Sequence, residues 1–215
     1  MSHSHYSLKR IGITGGIGSG KSTLSSCLAR LGYPVFDADH LLTRVVQQPS
    51  VQNQLTALLG VNAFESDANG HKTYNRAWVR EQVFADAQKR TALEGIVHPA
   101  IFGEFDAICK ALEQVAGGVW VFYEAALIFE SRRESHFDAI VSVCAEEKAR
   151  RERLELHRRL SPENVSAIIA AQVTDRERRA KSNFLIENSG SKVELADSAL
   201  ELVNSLRQFF HPKSR

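Results

Sequence analysis

Cysteine is scarce in this sequence: Cys27, Cys109 and Cys144 are odd in number, widely spaced and set among apolar residues. With no C-x-x-C pair and no clustered histidine they exclude a disulfide framework and a zinc site. They read as small buried hydrophobes in a reducing compartment. Long hydrophobic runs are missing as well, since nothing approaches the roughly eighteen apolar residues that cross a bilayer. Met1–Ser7 is polar, carries His3 and His5, and contains no signal-like stretch, so it reads as a frayed extension of a soluble, cytoplasmic chain. Excess charge of either sign is also lacking: 27 Lys and Arg against 25 Asp and Glu leave a formal charge of +2. Neither nucleic acid nor a membrane surface is indicated as a general partner. There is no internal repeat and no low-complexity linker. What is present is 43% apolar content over 215 residues, enough for one continuous core with an insertion or two.

The most informative stretch is Gly15-Gly16-Ile17-Gly18-Ser19-Gly20-Lys21-Ser22-Thr23, which spells G-x-x-x-x-G-K-[ST]. Backbone N–H groups can wrap a polyphosphate only where side chains do not block the approach, and glycine leaves it open. Lys21 supplies a charge for the β- and γ-phosphates, the Ser22 hydroxyl suits Mg²⁺, and the following helix aims its positive end at the same anion. A chance match in a chain of this length is expected in roughly one sequence in a hundred. The apolar run before the loop (8–14) and the helical spacing of Leu24, Cys27, Leu28 and Leu31 after it add the strand–loop–helix context. The stretch therefore predicts a nucleoside-triphosphate site, with Gly16, Gly18, Ser19, Gly20, Lys21, Ser22 and Thr23 as its lining.

Downstream, a short apolar run ends in Asp37-Ala38-Asp39-His40. Carboxylates at the carboxyl end of a parallel strand lie where open α/β sheets bind ligands, and one of them could take a proton from an attacking hydroxyl or help hold Mg²⁺. The competing reading is a helix N-cap ahead of Leu41-Leu42. Residues 41–116 are mostly helical in pattern with a polar break at 65–74, which reads as a turn. The block is too long for a simple crossover and suits a helical substrate-binding insertion. It carries Arg76, Arg80 and Phe84 on one possible face, and Ile96-Val97-His98-Pro99; a lone histidine before proline is by itself more often structural.

Gly117-Gly118 introduces Val119–Tyr123, a strand fit for burial on both faces, which ends at Glu124, a position suited to supporting Mg²⁺. A second such strand follows at 139–144. In 148–159, Arg150, Arg153 and His157 share a helical face. Either this is a solvated helix paired with Glu146, Glu147, Glu152 and Glu155, or it is a lid whose arginines close over phosphates. The run lacks aromatics for stacking on bases. Ser161-Pro162-Glu163 starts another helix. A last short strand spans 184–188, and an amphipathic helix runs from Val193 to Phe210. Strands separated by helices predict a parallel sheet in a three-layer α/β/α fold.

A phosphate loop does not specify the acceptor, so a nucleoside kinase and a nucleotide-dependent switch both stay open. The absence of an N-K-x-D triplet and the presence of the Asp37/Asp39 pair weigh against a switch. Taken together, Thr14–Ser22, Phe36-Asp37-Ala38-Asp39, Ile96–Pro99, Leu127-Ile128-Phe129-Glu130, Ala170-Ala171-Gln172 and Ile186-Glu187-Asn188 make the chain resemble the dephospho-coenzyme A kinases over nearly its whole length. The resemblance implies a P-loop NTPase fold with a nucleotide-binding core (8–40, 117–146 and 172–210), a CoA-binding insertion (41–116) and a short helical lid (147–171). It implies ATP and Mg²⁺, dephospho-CoA as partner, and a monomer or weak homo-oligomer. By position, Asp39 matches the general base on the ribose 3′-hydroxyl, and Arg76, Arg80 and His98 fall in the acceptor-binding insertion. Arg153 matches a lid arginine, and Asn188 lies in the loop near adenine. Two positions depart from the family pattern. Ala126 stands where proline is usual, and His157 where a second lid arginine is usual, with Arg158 next to it.

Overall fold

The β1 strand (Lys9–Gly15) is the middle of a five-stranded sheet, and the chain around it alternates strand and helix. The structure is a computed structural model that describes residues 7–68, 70–84, 86–116, 118–158, 161–190 and 192–212; the extension proposed for Met1–Ser7 lies outside these except for Ser7. The chain divides into two units, one formed by Met1–Phe36 with Gly117–Arg215 and the other by Asp37–Ala116.

In the first unit, β1 leads through the phosphate loop into α1 (Lys21–Arg30), and the chain then enters β2 (Val35–Asp37). The second unit begins with α2 (Ala38–Val45), capped by the Asp37 carboxylate, which accepts the His40 amide at 3.0 Å. It continues with α3 (Pro49–Leu59), β3 (Phe64–Ser66), β4 (Lys72–Tyr74), α4 (Arg76–Phe84) and α5 (Ala87–Ala116). Asp86 starts α5 by accepting the amides of Gln88 and Lys89, and Pro99 lies inside it. Helices α2, α3 and α4 all pack on α5, with Leu41, Val45, Val51, Leu55, Val79, Ile101 and Phe105 buried. The polar break is more than the turn expected from composition. Its flanks pair as an antiparallel hairpin, Phe64 opposite Tyr74 and Ser66 opposite Lys72, and beyond them the Gly70 amide donates to the Asp67 carbonyl at 3.0 Å.

The first unit resumes with β5 (Trp120–Glu124), β6 (Ala139–Cys144), α6 (Glu147–Arg158), α7 (Pro162–Ala170), α8 (Asp175–Lys181), β7 (Phe184–Glu187) and α9 (Lys192–Phe210). The sheet order is β2-β5-β1-β6-β7. Parallel registers pair Ile13 with Glu124, Ile13 with Val141, and Val143 with Ile186. Every residue of β5 and β6 is buried, as continuous apolar strands covered on both faces must be. On one face Ile11, Ile13, Phe122, Val141 and Val143 pack with Leu24 and Leu28 of α1 and Leu195, Ala199, Leu202 and Leu206 of α9. Burying a side chain such as Phe122 contributes about 1.5–3 kcal/mol, so this cluster dominates the stability of the unit. Period two sends Ile140 to the other face, where it meets Ile128 and Phe129. Helices on both faces of a parallel sheet make the three-layer α/β/α arrangement.

Candidate active site

The loop between β1 and α1 is held in place by side chains that come from far along the chain. Gly20 is the N-cap of α1 at φ 103, a conformation that side chains disfavour, and a Cβ there would lie 2.1 Å from the Asn188 side-chain nitrogen. Asn188, just past β7, is buried and donates that nitrogen to the Ser19 carbonyl at 2.7 Å, while its own amide donates to Cys144 at 2.7 Å. Gln172, at the end of the Ala-Ala-Gln stretch, accepts the Ile17 amide at 2.9 Å. Lys21 turns inward, its ammonium donating to the carbonyls of Gly15 at 2.8 Å and Gly16 at 3.2 Å.

This arrangement suits an anion. The first turn of α1 holds no acidic residue, so nothing offsets its positive end. The Ser19 hydroxyl is buried and makes no hydrogen bond among the described residues, which leaves it available to a phosphate oxygen. Ser22 is exposed in the first turn of α1. Thr23 follows it, partly buried, with its amide on the Gly20 carbonyl at 3.1 Å. Glu124 ends β5 as a buried carboxylate opposite Ile13 of β1. Among the described residues no cluster of three or more His, Cys, Asp or Glu could cage a metal. A hydroxyl and one carboxylate beside a phosphate site fit Mg²⁺ instead, which binds through few protein ligands together with phosphates and water.

Helix α6 has two characters. On its outer side Arg151 pairs with Glu147 at 2.7 Å, the solvated pairing the composition allowed. On its inner side Arg153 donates to the carbonyls of Gly18 and Asn188, both at 3.2 Å. Arg153 is half-buried; Arg150, one turn earlier, is buried and bonds Asp175 at 3.1 Å. The side chains of His157 and Arg158, raised as a second lid residue, lie outside the described residues. The sequence offers Gln172 only as part of the Ala-Ala-Gln mark of the resemblance and Arg150 only as one arginine on a possible lid face, and gives neither a role of its own. The spacing of Arg150 and Arg153 on one helical face was the available signal for the latter.

In the second unit, Asp39 and Arg76 come together as an ion pair across 37 positions, with side chains 76% and 50% exposed. An exposed pair is worth only about 0–1 kcal/mol, so stability is a weak reason for it. Arg76 opens α4, and Arg80 follows one turn later, exposed. Burial pushes the Tyr74 phenol above its ordinary range, partly offset by Arg76. His98 is half-buried within α5. Of the two carboxylates in Asp37-Ala38-Asp39, then, the first is spent as a helix cap and the second presents its side chain to solvent and arginine.

Cys27, Cys109 and Cys144 carry thiols and form no disulfide, and among the described residues no helix is long and apolar enough to cross a membrane.

The sequence profile of the dephospho-CoA kinase family matches residues 9–194. A dephospho-CoA kinase of Salinibacter ruber is 34% identical over 195 residues, covering 89% of this chain and 94% of that protein. One from Methylococcus capsulatus is 36% identical over 186 residues, covering 86% and 90%. In three dimensions, TT1252 from Thermus thermophilus superimposes with a TM-score of 0.78 at 31% identity, covering 93% of this chain and 98% of that one. Matched over this span in sequence and fold, the chain belongs to the dephospho-CoA kinase family.

Proposed function

We propose that the chain transfers the γ-phosphoryl group of ATP to the ribose 3′-hydroxyl of dephospho-CoA, giving coenzyme A and ADP in the last step of CoA biosynthesis. The observation that carries this reading is a phosphate loop with inward-turned Lys21 in a chain whose relatives are dephospho-CoA kinases over nearly their full length. Phosphoryl transfer asks a protein mainly for positioning and charge stabilisation. The amides from Gly16 to Thr23 and the Lys21 ammonium hold the donor phosphates. Asn188 keeps the loop in shape beside the adenine. Arg153 steadies the transferred group. Asp39 accepts the proton of the 3′-hydroxyl as it attacks phosphorus, and Arg76 keeps that carboxylate oriented until the acceptor arrives. Arg80 and His98 contribute to acceptor binding within the insertion. Ser22 would hold Mg²⁺ with Glu124 in support, and the ion would neutralise phosphate charge there. An enzyme drawing on ATP and carrying thiols is suited to the cytoplasm, acting on a small molecule with no nucleic acid or membrane partner, as a monomer or weak homo-oligomer.

The test is ATP turnover with dephospho-CoA, with common nucleosides, and with no acceptor. Stimulation by dephospho-CoA is expected. Stimulation by nucleosides alone would assign a different acceptor, and turnover indifferent to acceptors would point to a nucleotide switch.

A further inference from the structure

Arg150 is a buried cation that the roles above leave unused. Its side chain comes down from α6 onto the phosphate loop, where a Cβ added to Gly16 would lie 2.1 Å from its Nη1. The backbone of the same residue closes on Gly18, whose Cβ would meet the Arg150 carbonyl at 2.9 Å. The residue is 4% exposed. Nη2 donates to Asp175 at 3.1 Å, and Nε makes no hydrogen bond among the described residues.

Two features make this more than an internal brace. Asp175 is shared, because its other oxygen accepts from the fully buried Arg178 at 2.9 Å. Burying a guanidinium is costly unless its donors are used, and here the half of the fork turned away from Asp175 faces the loop. Lys21 lies at the same place, its ammonium 3.2 Å from the Gly16 carbonyl. Two cations therefore flank Gly16, ahead of a helix start with no acidic residue in its first turn. A side chain at Gly16 would displace the guanidinium.

We propose that Arg150 is a phosphate-binding residue of the donor site, presenting its free guanidinium edge to the terminal phosphates of the bound triphosphate alongside Lys21. The inference rests on the reading of the loop as a triphosphate site. Asp175 holds the fork in orientation, and the planar geometry of arginine lets one edge bond a carboxylate while the other bonds phosphate oxygens. The alternative is a pillar that pins α6 to α8 and touches no nucleotide.

Calorimetric dissociation constants for ATP, ADP and AMP separate the two, measured on the wild-type chain, Arg150→Gln and Arg150→Lys, with melting temperatures alongside. Loss of charge-assisted hydrogen bonds to phosphate predicts that Arg150→Gln weakens ATP about tenfold or more, ADP less, and AMP hardly at all. Its ATP affinity should also depend less steeply on salt. Arg150→Lys, which keeps the charge, should recover part of the loss and serves as the readout if Arg150→Gln fails to fold: its ATP affinity should fall while its AMP affinity stays. Unchanged ATP affinity, or an equal loss for all three nucleotides, would overturn the proposal and make Arg150 a pillar. If the wild-type chain itself bound no triphosphate, the underlying reading of the loop would fall and take this one with it.

Discussion

The Asn188 side-chain amide donates to the Ser19 carbonyl at 2.7 Å, tying the loop after the edge strand to the phosphate loop across 169 positions. That carbonyl is buried, and leaving such a group without its donor costs about 1–3 kcal/mol. Asn188→Ala should therefore raise the KM for ATP several-fold while leaving the KM for dephospho-CoA nearly unchanged. Steady-state kinetics with each substrate varied in turn checks the split, and equal effects on both would show that Asn188 supports the fold rather than the donor site.

Gly20 meets the same side chain from the other side. At φ 103, with a Cβ position 2.1 Å from Asn188, Gly20→Ala combines backbone strain with a steric clash. Strain of this kind costs about 1–3 kcal/mol, and ATP affinity should drop by at least tenfold. Adding Asn188→Ala removes the clash together with the bond to Ser19, so the double variant should recover part of the loss, at most to the level of Asn188→Ala alone. Full recovery would mean that the backbone conformation does not matter.

Asp39→Asn should lower turnover by roughly 100- to 10,000-fold, the range of general base catalysis. ATP affinity should stay within about twofold, since the change touches the acceptor side of the chemistry and an ion pair worth about 0–1 kcal/mol. Turnover close to wild type would remove Asp39 from the role of base.

Helix α8 begins with a reciprocal cap, in which Thr174 accepts the Glu177 amide at 3.2 Å and Glu177 accepts the Thr174 amide at 3.2 Å. Hydrogen bonds from the Thr174 backbone and then its hydroxyl hold the Glu177 carboxyl below its ordinary value of 4.5. A lowered folded-state value means that the carboxylate's contribution is present above the unfolded value and is lost as pH falls through the folded one. Urea unfolding should therefore separate wild type from Glu177→Gln at pH 7, and the gap should close in acid below the folded value. A gap independent of pH would show that the ionised form does not matter.

The sequence made the phosphate loop, the buried strands β5 and β6, and the Ser161-Pro162 helix start legible, because each is written in consecutive residues. Ser161 does cap α7, accepting the Asn164 amide at 3.3 Å. The β3–β4 hairpin escaped notice because each strand has three residues and Phe64 is their one buried side chain, too little for a period-two signal. Helix α8 was missed for a different reason. Its residues, Asp-Arg-Glu-Arg-Arg-Ala-Lys, carry no apolar stripe, although the Thr174-x-x-Glu177 box did mark its start. Asp37 and Asp39 could not be told apart on composition, since only the backbone turn decides which carboxylate caps the helix. Gln172 reaches Ile17 across 155 positions, and nothing local in either segment announces such a contact.

One line along α5 sets how that helix should breathe. Gly95, Pro99 and Gly103 recur every fourth residue, with open space where the two glycines would carry side chains. Proline removes the bond that the Gly95 carbonyl would otherwise accept, which costs a helix interior about 3 kcal/mol. The buried Phe105 and Cys109 lie beyond that line. Deuterium should therefore enter the amides around His98 well before those from Phe105 to Cys109, so that the thirty-residue helix opens from a weak seam in its middle, at the histidine proposed for acceptor binding.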